Sequence, residues 1–350
     1  MTGTWPTALP STIVGSLPRP GWLATPGEVF TSWRLDGPEL AEGQDDAVVL
    51  AVADQHDAGL DIITDGEQRR RHYIWGFCEG LTGFHFSRLV KISARGGRYR
   101  AQTPAPRVTA PVRRPRPVML NALRFLKART NRPVKVNLPG PMTITDSVAD
   151  ECYGSRRRLA FELAKLLNDE AIELAEAGCD IVQFDEPCFN IYLDEVEEWG
   201  ISALEEAAHG VRAAGALTAV HICYGYGIPA VLAWKNSNTD WSHYHHTLPL
   251  LEDSNIDQIS VECAASGVDP SVLGLAPSKD LMVGVIDVGT EDAETAEDVA
   301  GRIRTALRYV RPEHLYPCTD CGLMPRSRRS ARGKMRALVE GANIVRAELM

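Results

Sequence analysis

His221 and Cys223 stand two residues apart at the end of the apolar run 217–221, Glu262 directly follows the run 258–261, and Cys321 lies three residues beyond the run 315–318. Imidazole, thiolate and carboxylate are the side chains that hold zinc in a tetrahedral site. Alternate side chains of an extended strand share a face, so residues 221 and 223 can address one ion. A ring of strands would bring Glu262 and Cys321 to the same point from the other side. Cys318 and Cys321 also form a CxxC, which reads equally as a redox dithiol or as half of a zinc ribbon. No second CxxC is present, and no thioredoxin-like strand–helix context surrounds this one.

Such a donor set suits the activation of a thiol. A free thiol ionises near pH ~8.5, whereas a bound cation stabilises the thiolate at neutral pH, and the thiolate is the nucleophile. A carboxylate is a ligand that an incoming substrate sulfur can displace, which keeps the ion four-coordinate. Other reactive groups fall at equivalent places: Ser16, Asp65 and Glu67, Asp185 and Glu186, and Asp287 each follow a short apolar run. Buried carboxylates need partners or a metal to offset desolvation, so their recurrence at strand ends points to one convergent site.

The elements that must position these residues are eight β-branched runs, at 12–14, 61–64, 134–137, 180–184, 217–221, 258–261, 281–286 and 315–318. Helical patterns separate them, over 40–58, 118–130, 155–177, 203–214, 243–254, 293–310 and 328–347. In "GLDIITDGE" and "GCDIVQFDEP" a helix stops at Gly59 or Gly178 and a buried strand follows at once. Eight alternations predict a closed (β/α)8 TIM barrel, with chemistry at the carboxyl ends of its strands. The alternative is an open doubly-wound sheet, but no GxGxxG or GxxxxGK[ST] supports nucleotide binding. The expected organisation is one catalytic domain over residues 1–350.

One segment breaks the pattern. Residues 88–116 hold nine basic side chains and no acidic one. "VKISARGGRYRAQ" reads as a hairpin around Gly96 and Gly97, an insertion over about 85–117 after the second strand, on the active-site face. A solvated arm or an oligomer contact accounts for it; a grip on an anionic substrate tail or an acidic partner, through Arg98 and Arg100, is the sharper alternative. The chain as a whole carries a net charge of −9, which argues against nucleic acid or an anionic membrane as partner. The first residues lack a basic-then-apolar leader, and no apolar run is long enough to span a bilayer. Eight cysteines without an export signal are expected to be free thiols or metal ligands in a reducing cytoplasm.

"STIVGSLPRP", "GLDIITDGEQRR", "NLPGPMTI", "DIVQFDEP", "VHICYG", "ISVEC" and "TDCGLMPR" together resemble the catalytic barrel of cobalamin-independent methionine synthases, in order and across nearly the whole chain. The likeness is to the short, single-barrel members. It implies Zn2+ on His221, Cys223, Glu262 and Cys321. It also implies that the amino-acid end of homocysteine is held by the turn Val14, Gly15, Ser16 with Glu67 and Asp185. A hydroxyl and backbone N–H groups suit a carboxylate, and two acids suit an ammonium.

The sequence departs from that family at three places. Ser147 stands where a tryptophan stacks on the pterin, Ile191 where a glutamate contacts folate, and Gly289 where a histidine is the proposed proton donor. Asp287, as a catalytic candidate, or a water would have to substitute for that histidine. The expectation is therefore a methyl donor other than methyltetrahydrofolate polyglutamate, such as a corrinoid, another small carrier or the product of a partner protein. Alternatives are alkyl transfer to another small thiol, as in barrels resembling the epoxide–coenzyme M enzymes, a metal-free barrel resembling uroporphyrinogen decarboxylase, and a non-catalytic binding barrel.

Overall fold

The computed structural model describes residues 8–98 and 102–350. Among the described residues nine strands are formed: β1 Thr82–Ile92, β2 Thr103–Arg113, β3 Lys135–Pro139, β4 Ala149–Asp150, β5 Ile181–Asp185, β6 Leu217–Ile222, β7 Gln258–Val261, β8 Asp280–Ile286 and β9 Leu315–Thr319. A parallel sheet runs in the order β3-β5-β6-β7-β8-β9. These six are the third to eighth strands expected from the sequence. All but the first residue of β6 and of β8 are buried, as a sheet covered on both faces requires.

The first two expected strands are present as extended segments but not as regular strands. They nonetheless close the ring. Thr12 N–H donates to Pro317 O of β9, Asp61 and Ile62 N–H both donate to Ser11 O, and Ile63 pairs with the chain around Val134 through Ile63 N to Pro133 O and Lys135 N to Ile63 O. Side chains have taken the remaining ladder positions. Val14 N–H donates to Thr319 Oγ1, and Thr64 exchanges two bonds with the Gln55 side-chain amide. A closed barrel of eight segments results, and the open-sheet alternative is excluded.

The surrounding helices follow their end signals. Helix Gly37–Ala58 stops at Gly59 (φ 90°) and helix Arg156–Glu176 is followed by Gly178 (φ 86°), a left-handed conformation that glycine adopts without strain. Thr295 and Asp298 form a reciprocal cap, which starts helix Ala296–Ala306 later than the apolar pattern suggested. Helix Ile201–Ala208 ends six residues short of its expected limit, ahead of Gly210 at φ 74°. Helix Pro229–Ser237, between β6 and β7, was not anticipated.

Inside the barrel Val14, Ile62, Ile181, Ala219, Met282, Tyr316 and Cys318 pack together, and the buried Lys135 ammonium donates to Gln183 Oε1 at 2.7 Å. The basic insertion is a hairpin, with β1 and β2 antiparallel. Its tip, where the chain turns through Arg95, Gly96 and Gly97, bends over the carboxyl end of the barrel. Arg100 lies outside the described residues.

Candidate metal centre and substrate cavity

The carboxyl ends of the strands open into a cavity of about 350 Å³. His221 and Cys223 reach it from the end of β6 and Cys321 from the loop after β9, and their donor atoms lie within 4.8 Å of one another. Cys318 is instead turned into the barrel interior, where burial pushes its thiol up to about 11. The CxxC cysteines thus face different surroundings, unlike a redox pair.

Three observations fit the cluster to a metal. Cys223 and Cys321 hold their sulfurs 3.7 Å apart; two thiolates at about 2.3 Å from a tetrahedral ion would stand about 3.8 Å apart. His221 donates or accepts through Nδ1 at Ser260 Oγ, 2.9 Å away, while its buried Nε2 makes no hydrogen bond among the described residues. A ring nitrogen fixed by a neighbour, with the other left bare, is how ligand histidines are oriented. Finally, the Cys321 thiol and the adjacent imidazole hold Cys223 well below the usual thiol range, while the shared proton pushes Cys321 up.

Glu262 is not part of this group of three. Fully buried, it accepts from Tyr224 N–H at 2.9 Å through Oε2 and from Lys235 Nζ at 2.5 Å through Oε1. Burial pushes its carboxyl up and the lysine opposes that. A nitrogen–oxygen contact so short is that of an ion pair.

The same cavity also carries acids, and Asp185 stands in register with His221 on the neighbouring strand. Glu67 and Asp185 both line the cavity and both are buried. Burial raises Glu67 to about 7 against the pull of Arg70, whose guanidinium is 4.0 Å away, and burial likewise raises Asp185. Gln183 Nε2 fixes Asp185 Oδ1 at 2.7 Å, and Asn137 stands 3.5 Å from Oδ2. Ser16 adds its hydroxyl, 3.4 Å from the Tyr226 hydroxyl. Gly15 is required by crowding: a Cβ there would lie 2.5 Å from Asn137 Nδ2 and 2.8 Å from Glu67 Oε1. Val14 offers the substrate no free backbone group, because its N–H is already given to Thr319 and its carbonyl accepts from Asn137 and Gln183.

Two expected participants do other work. Asp287 is absent from the cavity wall and its carboxylate accepts from Gly289 N–H at 2.6 Å, closing its own turn. Glu186 accepts from Met142 N–H, Thr143 N–H and the Thr143 hydroxyl, so it anchors helix Pro141–Asp146.

Several wall residues escaped the sequence reading: Tyr226, Phe30, His72, Tyr73, Trp75 and Arg95. Phe30 stacks on His72 with centroids 4.6 Å apart, and burial lowers His72 to about 3, so it stays neutral and the wall stays apolar. Arg95 reaches in from the hairpin tip. Its guanidinium bonds Asp146 Oδ2 at 2.5 Å, Tyr73 OH at 2.6 Å and Ser147 Oγ at 3.2 Å. Arg95 belonged to the run of nine basic residues, but nothing in the run distinguished it from the others. Arg98 lies farther out, 3.2 Å from His243 and with its guanidinium 4.7 Å from the centre of the Trp234 ring.

A thiol and imidazole cluster together with buried acids, at the carboxyl mouth of a (β/α)8 barrel, defines a barrel enzyme whose chemistry lies at that mouth. Residues 9–344 match the family model described as the catalytic domain of the cobalamin-independent synthases. The chain is 34% identical over 342 residues to the methionine synthase of Sulfurisphaera tokodaii, covering 97% of this chain and 94% of that one. It is 33% identical to that of Saccharolobus solfataricus over 344 residues, covering 97% and 96%. A solved B12-independent methionine synthase from Shewanella sp. W3-18-1, in complex with selenomethionine, is 48% identical, with a TM-score of 0.94 and coverage of 98% and 99%. A putative relative from Listeria monocytogenes, 22% identical with a TM-score of 0.70 over 97% and 98% of the chains, shares the fold. The chain belongs to the cobalamin-independent methionine synthase family and is a methyltransferase of that type.

Proposed function

We propose that this protein methylates the thiol of homocysteine to give methionine, with Zn2+ held by His221, Cys223 and Cys321 and with Glu262 able to reach it. The observation that carries the reading is that one cavity is lined both by a His/Cys cluster able to hold a metal and by two buried carboxylates, Glu67 and Asp185, the latter in register with His221. When bound, the ion supplies stabilisation of the substrate's thiolate at neutral pH. Glu67 and Asp185 receive the ammonium, and the Ser16 hydroxyl donates to the carboxylate. The apolar wall of Phe30, His72 and Trp75 excludes water from the path of the methyl group. Sulfur attacks the methyl carbon, the new S–C bond forms as the donor–methyl bond breaks, and that electron pair leaves with the donor. The thiol's proton has already gone to solvent. The buried acids disfavour a sulfonate thiol, which would need cations there. The selenomethionine complex of the Shewanella protein supports a methionine-shaped cavity here too.

The donor in this reading is not methyltetrahydrofolate polyglutamate. Arg95 bonds Ser147, and the hairpin tip passes close to Ile191, whose Cγ2 would lie 3.3 Å from a Cβ added at Gly96, with the Gly96 amide donating to Tyr192 OH at 2.7 Å. The chain's own hairpin thus covers two of the three positions at which the folate contacts are missing. The test incubates zinc-loaded protein and homocysteine with a panel of methyl donors, with and without cell extract. Methionine formed only with a non-folate donor or with extract is expected, and efficient turnover with methyltetrahydrofolate alone would refute the donor assignment.

A further inference from the structure

Glu262 comes to the edge of the metal centre and is held off it. Its Oε2 is engaged by the amide of Tyr224, the residue after Cys223, and its Oε1 by Lys235 Nζ at 2.5 Å. Lys235 is itself buried, and its ammonium otherwise approaches Gly225 O at 3.4 Å. It arrives on helix Pro229–Ser237, beside the metal ligands but contributing none. A buried ion pair is a poor source of stability, because desolvating both charges offsets their attraction. Its position has a clearer use.

We propose that Lys235 is a positioning residue that takes up the Glu262 carboxylate as the substrate's sulfur enters, so that Glu262 moves between lysine and metal. This rests on the metal and thiol reading above and adds to it the partner that makes exchange feasible. Charge balances in the exchange. A thiolate brings one negative charge to the centre as Glu262 removes one, and the departing carboxylate meets an ammonium already in place. The thiol's proton goes to solvent. Without Lys235 the buried carboxylate would keep only the Tyr224 amide, the metal would be its only counter-charge, and it would compete with the substrate.

The test uses the full-length protein loaded with Co2+ and titrated with L-homocysteine, followed by the cobalt absorption spectrum. Lys235→Met is expected to alter the spectrum before thiol is added and to weaken homocysteine binding by about tenfold or more, the competing carboxylate having lost its alternative partner. Lys235→Met/Glu262→Gln, which removes both charges, should recover binding to within about threefold of the unaltered protein. Should Lys235→Met fail to fold, Lys235→Gln carries the same expectation. Unchanged spectrum and affinity in the single variant would overturn the proposal, as would a double variant as weak as the single one, since the loss would then be structural. Failure of the unaltered protein to bind Co2+ at all would overturn the metal reading and this inference with it.

Discussion

His221 turns Nδ1 onto the Ser260 hydroxyl, 2.9 Å away, and keeps Nε2 free of any hydrogen bond among the described residues. Ser260 lies on β7, one strand from its partner, so the imidazole is set by the barrel itself. Ser260→Ala should leave the fold intact and lower metal affinity by about tenfold or more, as the loss of such orienting contacts does. Competition against a chromophoric chelator measures this, and an unchanged affinity would show that the ring needs no such support.

Cys223→Ser and Cys321→Ser should each lose metal and activity together. Each removes one of the two soft ligands that a three-residue cluster has to offer. Metal content and methionine formation are to be measured on the same samples. A variant that stays active without metal would dispose of the metal centre.

Glu67→Ala should retain the metal and raise KM for homocysteine. Its pH dependence follows from a carboxyl raised to about 7 by burial. The ammonium needs the ionised form, so kcat/KM for homocysteine should fall by about tenfold per unit below pH 7 and level off above it. Glu67→Gln should flatten that limb. A carboxyl raised in the folded state also means that its charge opposes folding as pH rises through that value, so Glu67→Gln should melt above the wild type at pH 8. An unchanged KM in either variant removes Glu67 from the site.

Gly15→Ala tests the same carboxylate by crowding. Its Cβ would overlap the space of Asn137 and Glu67, so homocysteine binding should suffer while metal content stays. Equal losses of both would mean that the barrel, not the pocket, has been disturbed.

Arg95→Ala breaks a pair whose acid, Asp146, is buried, and should cost about 3 kcal/mol of stability. It should also affect the methyl donor more than the thiol, because the bonds to Ser147 and Tyr73 line the mouth. Separate KM determinations for the two substrates decide this, and a larger effect on homocysteine would relocate the hairpin's role.

The barrel was legible because buried parallel strands write themselves as short β-branched runs, and β3 and β5–β9 fall within a few residues of those runs. The segments at 12–14 and 61–64 were legible as positions in the ring but not as irregular ones. Their ladder bonds go to Thr319 and Gln55 side chains, about which local pattern says nothing. The three-residue cluster followed from alternation along β6 and from the closing of the ring. Lys235, Ser260 and Tyr226 did not, because each acts through a partner distant in sequence and none sits at a strand end that marks it. Asp287 shows the opposite error: a carboxylate placed correctly after β8 bends back onto Gly289.

The irregular closure of the ring divides the labour of the site unevenly. Ser16 and Glu67 ride on the two segments fastened by a few irregular backbone bonds and by side chains, whereas His221 and Cys223 stand at the end of a strand paired on both edges. Gentle warming or low denaturant should therefore loosen the seam first. Such a protein would still grip its ion while losing the ability to tell an amino-acid thiol from any other, and discrimination would fade before reactivity.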